Sequence, residues 1–465
     1  MSKIALLQFD PTVGDLEQNC RRLSDLAQQA EKAGATVGVS TELAVCGYPP
    51  RDLLMERDFV ERSMEAALRV STSLPVLVGT PIPADDDRTL PTNGVVRSGP
   101  EFTTITNDEQ SRIVAEKQLL PTYDVFDEAR YFMPKNRSGL ARSFGGFTLG
   151  VTVCEDAWQS AGMTPSAYTQ DPIEHIAEWC RQGVEIQATV NLSASPFHTD
   201  KFTTRLAVAR HAASVLSHPF LLANQVGGND DLLFDGRSLV VWPDGRAVVA
   251  PSWQEGVLLV DLEHPERCEW LKSTAEDGLC IGQAQLMTLE ADEDGSSLVD
   301  AIEELTNAVV TGLADYCRKS SIQSIVLGLS GGIDSAVAAC VAAAAIGPSN
   351  VTGLAMPSRH SSQHSIDDAL HTAQALGMPH HLHAIDGMHA SVESVLDDVL
   401  ANGHPVAGEN LQARLRAILV MGYANANSSM AITTGNKSEI AQGYCTLYGD
   451  MAGGYAPLGD VYKME

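Results

Sequence analysis

Residues 324–339, with the sequence SIVLGLSGGIDSAVAA, decide the fold of the C-terminal part of the chain. The apolar run Ser324–Leu329 is typical of a buried β-strand, and the alanine-rich run Ser335–Ile346 is typical of a helix. A second apolar run, Val351–Met356, and a helical pattern that ends at Leu376 repeat this order. Strands that alternate with helices predict βαβ units and a parallel sheet.

Short apolar runs also alternate with helical patterns over the residues before position 270. The predicted strands there are Ile4–Gln8, Val37–Ser40, Pro75–Gly79, Gly150–Cys154, Gln187–Asn191, Leu221–Gln225, Leu239–Trp242 and Gly256–Asp261. Helical patterns such as Leu16–Ala33 and Thr203–Ser217 lie between several of them. Strands that are apolar throughout and separated by helices predict sheets covered by helices, and therefore an α/β domain.

A polar, acidic stretch interrupts this pattern around residues 275–297. We therefore predict one domain over residues 1–275, a linker over 276–297 and a second domain over 298–465, which opens with a helix from Leu298 to Lys319.

Composition favours a small-molecule enzyme. The chain has 465 residues, of which 44% are hydrophobic, and its formal net charge is −28. This negative charge disfavours binding to nucleic acid or to an anionic membrane. The nine cysteines are scattered without a C-x-x-C pair, and no apolar run is long enough to span a bilayer. We expect a reducing, cytoplasmic location.

The glycine-rich turn has three interpretations. Gly328–Gly332 matches G-x-S-x-G, the nucleophile elbow of hydrolases, with Asp386 and His389 as nominal partners, but no spacing rule supports them. A Walker loop is excluded because no lysine lies near residues 330–336. The third is an anion cradle in which backbone N–H groups at a helix N-terminus hold phosphate oxygens. An ordinary tight turn, with Asp334 or Ser335 as helix cap, explains the glycines alone.

The six residues Ser330–Ser335, SGGIDS, resemble the pyrophosphatase loop of the N-type ATP pyrophosphatases, which adenylate a substrate and release pyrophosphate. Downstream, ENLQARLR (Glu409–Arg416) and the stretch Ala431–Asp450 resemble two signatures of the NAD synthetase family. The resemblance implies ATP and deamido-NAD as substrates, and it implies no redox cofactor. It implies ATP-binding roles for Gly328, Leu329, Ser330, Gly331, Gly332, Ile333, Asp334, Ser335 and Thr434, and deamido-NAD-binding roles for Asn410 and Glu439.

A magnesium ion is also expected beside the ATP phosphates. Asp334 and Glu439 supply hard oxygen ligands of the kind that Mg²⁺ prefers. Arg414 or Lys437 could neutralise phosphate charge. Each of these side chains would otherwise be an ordinary residue on a solvated helix face.

The first domain carries a candidate nucleophile. Cys154 ends the apolar run GVTVC, and both Glu42 and Lys117 lie at the ends of other strand-like segments, where α/β active sites collect. A lone cysteine in such a position is more often a small buried filler. The words TELAVCGYPPRDLL, EKQLLPTYDVFDEARYF and VCEDAW, in this order, resemble the glutamine-amidase branch of the nitrilase superfamily, whose catalytic triad is Glu, Lys and Cys.

The nitrilase resemblance implies specific roles. Glu42 acts as the general base, Cys154 as the nucleophile, and Lys117 stabilises the oxyanion and is expected to depress the thiol pKa. Tyr123, Ser195 and Lys201 match the glutamine-binding positions. Glu128 matches a second glutamate that supports the triad in many relatives, and a surface salt bridge is its competing explanation.

Together the two halves resemble the glutamine-dependent NAD synthetase family along the whole chain. The resemblance implies a nitrilase-like α/β/β/α sandwich followed by a doubly wound parallel-sheet ATP pyrophosphatase domain, and a homo-oligomer. Family members normally continue past the GDVYK segment, so we expect a second domain that is truncated at Glu465. One alternative is a stand-alone amidase with an inactive nucleotide-binding half, and another is a scaffold without activity. His360 and His364 lack a supporting metal motif and are expected to be solvated.

Overall fold

The computed structural model describes residues 2–70, 73–86, 89–99, 112–135, 139–165, 168–273, 286–294, 296 and 300–464. The chain divides into two compact units, Met1–Ala301 and Ile302–Glu465. Among the described residues, no helix combines the length and the apolar character needed to cross a membrane.

Unit 1 contains sixteen described strands and four α-helices. The strands are β1 Lys3–Gln8, β2 Ala35–Val39, β3 Val76–Ile82, β4 Thr92–Ser98, β5 Ile113–Glu116, β6 Gly139–Phe144, β7 Phe147–Val153, β8 Ala188–Ser193, β9 Phe220–Asn224, β10 Val226–Asn229, β11 Leu232–Asp235, β12 Leu239–Val241, β13 Ala247–Val249, β14 Gly256–Val260, β15 Glu269–Lys272 and β16 Met287–Leu289. The helices are α1 Leu16–Lys32, α2 Arg57–Ala67, α3 Pro172–Arg181 and α4 Lys201–Leu216.

Most of these strands form two seven-stranded sheets. The first has the order β15-β14-β1-β2-β3-β4-β5, and the second has the order β16-β13-β12-β9-β8-β7-β6. Each sheet contains three adjacent parallel strands, β1-β2-β3 in the first and β9-β8-β7 in the second, and the strands on either side are antiparallel. β10 and β11 form a separate hairpin.

The buried clusters of unit 1 reveal four layers. Leu6 and Val39 of the first sheet share a core with Val151 and Leu192 of the second, so the two sheets pack face to face. The other face of the first sheet packs against α1 and α2, and the other face of the second packs against α3 and α4. This arrangement confirms the predicted α/β/β/α sandwich.

Unit 2 is built on one four-stranded parallel sheet. Its strands are β17 Ile325–Leu329, β18 Val351–Ala355, β19 His380–Leu382 and β20 Met430–Ala431, in the order β19-β18-β17-β20. The helices are α5 Ala301–Lys319, α6 Ile333–Ile346, α7 Gln363–Leu376, α8 Asp386–Val395, α9 Asp397–Ala401, α10 Val406–Asn427 and α11 Lys437–Gln442.

Helices cover both faces of the unit 2 sheet. Leu313 of α5 and Ala338 of α6 pack with Leu327 on one face. Val420 of α10 packs with Val326 on the other face. The predicted doubly wound parallel sheet is therefore confirmed.

All eight strands predicted for the N-terminal part are present, with ends that differ by a few residues. Residues 276–285 of the predicted linker lie outside the described residues, and Met287–Leu289 of that stretch forms the edge strand β16 against β13. The helix predicted from Leu298 begins at Ala301 among the described residues.

Candidate active sites

Three charged side chains meet in the interior of unit 1. The Lys117 ammonium donates a 2.7 Å hydrogen bond to Glu42 Oε1 and a 2.8 Å hydrogen bond to Glu128 Oε1. Glu42 and Lys117 follow β2 and β5 of the first sheet, and both side chains are fully buried. Glu128 is 4% exposed and also accepts from the Tyr48 hydroxyl. The alternative of a surface salt bridge at Glu128 is therefore wrong.

The Glu42 carboxylate is held on both oxygens. Asn93 of β4 donates its side-chain N–H to Glu42 Oε1 at 2.7 Å. The backbone N–H of Ala194, just after β8, donates to Oε2 at 3.0 Å. The residues that fix Glu42 therefore come from both sheets.

Cys154 lies at the end of β7, beside this charged group. The residue is 5% exposed and adopts a left-handed backbone conformation with φ of 43°. Burial raises the pKa of the thiol well above its ordinary value, the Glu42 charge raises it further, and the Lys117 charge lowers it. Lys117 lowers the thiol pKa, as expected, but burial and the Glu42 charge outweigh this effect. The resting thiol is protonated, so it needs a base to become a nucleophile.

Glu128 and Glu42 share one ammonium group. Two carboxylates beside one lysine leave an excess negative charge in a buried site. Burial raises the pKa of Glu128 to about 7, and the Lys117 charge opposes that rise. Burial beside a second carboxylate therefore favours the protonated form of Glu128.

One of the predicted glutamine-binding residues, Tyr123, contacts a carboxylate that the sequence interpretation missed. Tyr123 donates its hydroxyl to Glu155, with oxygen–oxygen distances of 2.9 and 3.0 Å. Tyr168 donates to the same carboxylate at 3.4 Å. Burial lowers the pKa of Lys201 most strongly, the Arg205 charge lowers it further, and the Glu155 charge opposes both.

Ser195 and Lys201 complete this set. Lys201 is the first residue of α4, and its ammonium lies 4.4 Å from the centre of the Trp158 ring. Ser195 is buried one residue beyond Ala194, and its backbone N–H donates to Asn224 Oδ1 at 2.9 Å. The set thus offers a carboxylate, an ammonium and hydroxyl groups, which suit a zwitterionic amino acid ligand.

Unit 2 contains a cavity of about 390 Å³ at the carboxyl end of its sheet. Gly328, Leu329, Ser330 and Thr434 line it, so the structure brings together these four members of the predicted ATP-binding set. Ligands of doubly wound sheets bind at this end of the strands.

The SGGIDS turn connects β17 to α6. Gly331 has φ of 79°, and a Cβ atom at this position would collide with the carbonyl oxygen of Ser365. The Ser330 hydroxyl accepts from the Gly332 N–H at 3.2 Å and lies 3.2 Å from the Ser335 hydroxyl. The helix N-cap is Gly332 without a side-chain cap, so the capping interpretation of Asp334 or Ser335 is wrong. The turn leaves Ile333 and Asp334 at the first turn of α6.

Asp334 and Glu439 lie on either side of Asn436. Asn436 donates its side-chain N–H to Asp334 Oδ1 at 3.4 Å and its backbone N–H to Glu439 Oε2 at 3.1 Å. The Lys463 ammonium donates to Asp334 Oδ2 at 2.5 Å, and this contact raises the pKa of Lys463. Sequence interpretation did not assign Lys463, although it stands in the GDVYK segment.

These residues fit a magnesium ion held jointly with phosphate. Asp334 already binds a cationic group, the ammonium of Lys463. Asn436 connects Asp334 to Glu439 by a hydrogen bond to each carboxylate. The described residues contain no cluster of three or more His, Cys, Asp or Glu side chains that could hold a metal. Mg²⁺ bound to nucleotides typically takes only one or two carboxylates, with phosphate and water as its other ligands.

Three further residues assigned in unit 2 have hydrogen-bond partners within that unit. Asn410 of α10 accepts from the Thr446 hydroxyl at 2.9 Å, and Arg414 donates to the carbonyl of Leu447 at 3.2 Å. Lys437 donates to Asp460 at 2.6 Å.

The nucleophile-elbow interpretation lacks its partners in unit 2. His389 is buried in α8 and is not among the residues that line the cavity of Ser330. Asp386 accepts from the backbone N–H of Arg359 at 2.7 Å. His360 and His364 are exposed, as expected.

Comparison with known proteins identifies a match in each unit. The carbon-nitrogen hydrolase family model matches residues 3–270, and the NAD synthase family model matches residues 305–465.

Similar proteins match across both units. The glutamine-dependent NAD(+) synthetase of Synechocystis sp. is 38% identical over 475 residues, which cover 100% of this chain and 79% of that protein. The enzyme of the same name from Rhodobacter capsulatus is 38% identical and covers 99% of this chain and 76% of its own length. Among solved structures, the glutamine-dependent NAD+ synthetase from Acinetobacter baumannii in complex with adenosine diphosphate matches with a TM-score of 0.81 and 29% identity, over 100% of this chain and 80% of that chain.

Proposed function

This chain belongs to the glutamine-dependent NAD(+) synthetase family, and from that premise we propose that it hydrolyses glutamine in unit 1 and uses the ammonia to amidate adenylated deamido-NAD in unit 2. The products are glutamate, NAD, AMP and pyrophosphate. Activation by ATP is needed because the nicotinate carboxylate is a poor electrophile, whereas its acyl-adenylate carries a good leaving group.

Unit 1 performs the amide cleavage. Glu42 takes the proton of the Cys154 thiol, and the sulfur attacks the side-chain amide carbon of glutamine. The Lys117 ammonium stabilises the oxyanion as the tetrahedral intermediate forms. Glu42 then gives the proton to the departing nitrogen, ammonia leaves, and a thioester remains that water hydrolyses to glutamate. The buried Lys117–Glu42 contact of 2.7 Å beside a protonated thiol supports these roles.

Tyr123, Glu155, Ser195 and Lys201 bind the glutamine. The Glu155 carboxylate pairs with the α-ammonium group of the substrate, and the Lys201 ammonium pairs with its α-carboxylate. Burial raises the pKa of Glu155, and an ammonium ligand would stabilise its charged form. Ser195 adds hydrogen bonds from a buried position next to the Glu42 contact at Ala194.

Unit 2 binds ATP in its 390 Å³ cavity, which Ser330 and Thr434 both line, and the backbone N–H groups of the SGGIDS turn hold the pyrophosphate. A magnesium ion held by Asp334 and Glu439 would neutralise phosphate charge there. Lys463 adds a positive charge next to the cradle. Asn410 and Glu439 contact deamido-NAD.

The observation that carries the proposal is one chain that contains both a buried Glu–Lys–Cys group and an SGGIDS turn at a helix N-terminus. The test is incubation of the protein with deamido-NAD, ATP and MgCl₂, with either glutamine or ammonium chloride as nitrogen source. We expect NAD from both sources. Failure of both, with the protein folded, would refute the ligase assignment, and ATP-independent amide hydrolysis without NAD would support the amidase alternative.

Two further properties belong to this proposal. Eight described cysteines are free, which supports a reducing compartment such as the cytoplasm. A homo-oligomer is proposed from the family, and light scattering of the purified protein tests it.

A further inference from the structure

One buried carboxylate joins two strands of the glutaminase site. Asp156 is 2% exposed. Its Oδ1 accepts from the backbone N–H groups of Gln118 and Leu119, each at 3.0 Å. Its Oδ2 accepts from the backbone N–H of Val153 at 3.1 Å.

The donors stand next to two residues of the proposed triad. Gln118 and Leu119 directly follow Lys117, and Val153 directly precedes Cys154. Lys117 extends from β5 of the first sheet, whereas Cys154 extends from β7 of the second. The Asp156 side chain therefore holds the two sheets together at the point where the ammonium and the thiol must meet.

The backbone of the Cys154 turn needs such support. Cys154 has φ of 43°, a conformation that is unfavourable for a residue with a Cβ atom, and such strain persists only where the surroundings enforce it. The Asp156 carboxylate closes the turn over Cys154 by its bond to Val153. Hydrogen bonds from three N–H groups to a charged, buried acceptor are stronger than neutral ones.

We propose that Asp156 is a positioning residue of glutamine hydrolysis, which holds the Cys154 turn and the segment after Lys117 in the register that lets the ammonium act on the thiol. This inference rests on the proposed glutaminase function of unit 1. Burial raises the pKa of Asp156 to about 7, while the three N–H donors lower it, so the group depends on these donors for its charged form.

The test compares Asp156→Asn with Asp261→Asn. Asparagine has the shape of aspartate but only one acceptor oxygen, so its NH₂ group must face at least one N–H donor. Asp261 is a matched control because it is 4% exposed and its Oδ1 accepts two backbone N–H groups, those of Glu263 and His264, both at 3.1 Å. Those bonds connect no part of the triad.

Three measurements are made on each full-length variant. They are kcat and KM for glutamine, the rate of NAD formation from ammonium chloride, and the pH dependence of iodoacetamide labelling at Cys154 by peptide mass spectrometry. For Asp156→Asn we expect kcat for glutamine to fall at least about tenfold, because small displacements of reacting groups are costly. Synthesis from ammonium should stay within about twofold of the wild type, since it needs only unit 2.

The labelling curve separates positioning from a merely structural role. Displacement of Lys117 from the thiol should move the labelling curve of Asp156→Asn to higher pH, because the lysine charge lowers the Cys154 pKa. Asp261→Asn should keep the wild-type curve and kcat. An unchanged kcat in Asp156→Asn, or a lower kcat with an unmoved labelling curve, would overturn the inference alone.

The thermal unfolding transition of unit 1 shows whether each variant is folded. If Asp156→Asn lacks the wild-type transition, Asp156→Ser replaces it in the same assays, since serine keeps one oxygen and cannot overfill the site. Loss of the transition in both variants would overturn the inference, because Asp156 would then be required for folding. A wild-type protein that makes NAD from ammonium but never hydrolyses glutamine would overturn the proposed function and this inference with it.

Discussion

The Lys117 ammonium lies 2.7 Å from the Glu42 carboxylate, and neither side chain has exposed surface. A buried ion pair of this kind is a weak source of net stability, because both charges lose their hydration. Its retention in the interior, with Glu128 at 2.8 Å on the other side of the lysine, fits a catalytic role better than a structural one.

Removal of the lysine charge should be costly for folding and for glutamine hydrolysis. Lys117→Met leaves two carboxylates uncompensated in the interior, so we expect a loss of about 3–5 kcal/mol in the free energy of unfolding of unit 1. Glutamine-dependent synthesis should disappear while ammonium-dependent synthesis remains. Denaturant unfolding and the two assays measure this.

The matched control for this substitution is Lys3→Met. Lys3 pairs with Glu269 at 2.8 Å, but the Glu269 side chain is 54% exposed. Such a surface pair contributes roughly 0–1 kcal/mol. Equal losses in the two variants would contradict the buried-pair interpretation.

Glu155 should select substrates that carry an α-ammonium group. In Glu155→Gln the ion pair with that group is lost, and we expect the KM for glutamine to rise by about 10- to 100-fold, the effect of one charge-assisted bond. The mono-amide of glutaric acid, which lacks the amino group, should be hydrolysed equally by both proteins. A variant that loses activity equally on both substrates would contradict this role.

The stability of unit 1 should depend on pH through Glu128. The pKa of this group is about 7 in the folded state against an ordinary 4.5, so the folded state holds a proton that the unfolded state releases between these values. The stabilisation that this retained proton gives the folded state is complete below pH 4.5 and is lost as pH rises through 7. The free energy of unfolding should therefore fall with rising pH, by at most about 1.4 kcal/mol per pH unit from this group.

Glu128→Gln tests this pH dependence because glutamine cannot titrate. Denaturant unfolding is measured from about pH 5 to about pH 8. The free energy of unfolding should fall less steeply with pH in the variant than in the wild type. Glu178→Gln on α3 serves as the control, since Glu178 is exposed and hydrogen bonds to Arg181 lower its pKa. Identical slopes in wild type and Glu128→Gln would count against protonation of Glu128 in the folded state.

The SGGIDS turn should not tolerate a side chain at Gly331. In Gly331→Ala the new methyl group meets the carbonyl oxygen of Ser365, and φ of 79° is unfavourable for alanine. We expect ammonium-dependent synthesis to fall by about 100-fold, because the N–H groups proposed to bind phosphate move. Glutamine hydrolysis should persist.

Gly377→Ala is the control for backbone conformation in the same unit. Gly377 has φ of 71°, but a Cβ atom there meets nothing within 4 Å. This variant should lose roughly 1 kcal/mol of stability and keep both activities. A similar loss of synthesis in the two variants would mean that strain, and not the cradle, causes the defect.

The layers of the fold could be predicted because buried parallel strands are apolar throughout. The IALL run of β1 and the whole of β17, IVLGL, stand out from their neighbours in this way. β4 was not predicted because it carries the polar residues Thr92, Asn93 and Arg97. The side chain of Asn93 is buried nonetheless, because it donates a hydrogen bond to Glu42 inside the protein.

The active-site residues could likewise be predicted only in part. The proposed triad could be predicted through short motifs, since each member stands next to a recognisable stretch. Glu155 and Asp156 directly follow Cys154, but their partners Tyr123 and Gln118 lie more than 30 residues earlier in the chain. Such contacts form only after the two sheets pack, so no local pattern reveals them.

The transfer of nitrogen from glutamine to the dinucleotide is tested most directly by an isotope. The protein is incubated with glutamine labelled with ¹⁵N in its side-chain amide, together with deamido-NAD and Mg-ATP, and the NAD is analysed by mass spectrometry. We predict that the wild type transfers the label to the carboxamide of NAD, and that Cys154→Ala forms NAD only when ammonium chloride is added. Labelled NAD formed from glutamine by Cys154→Ala at the wild-type rate would contradict the account.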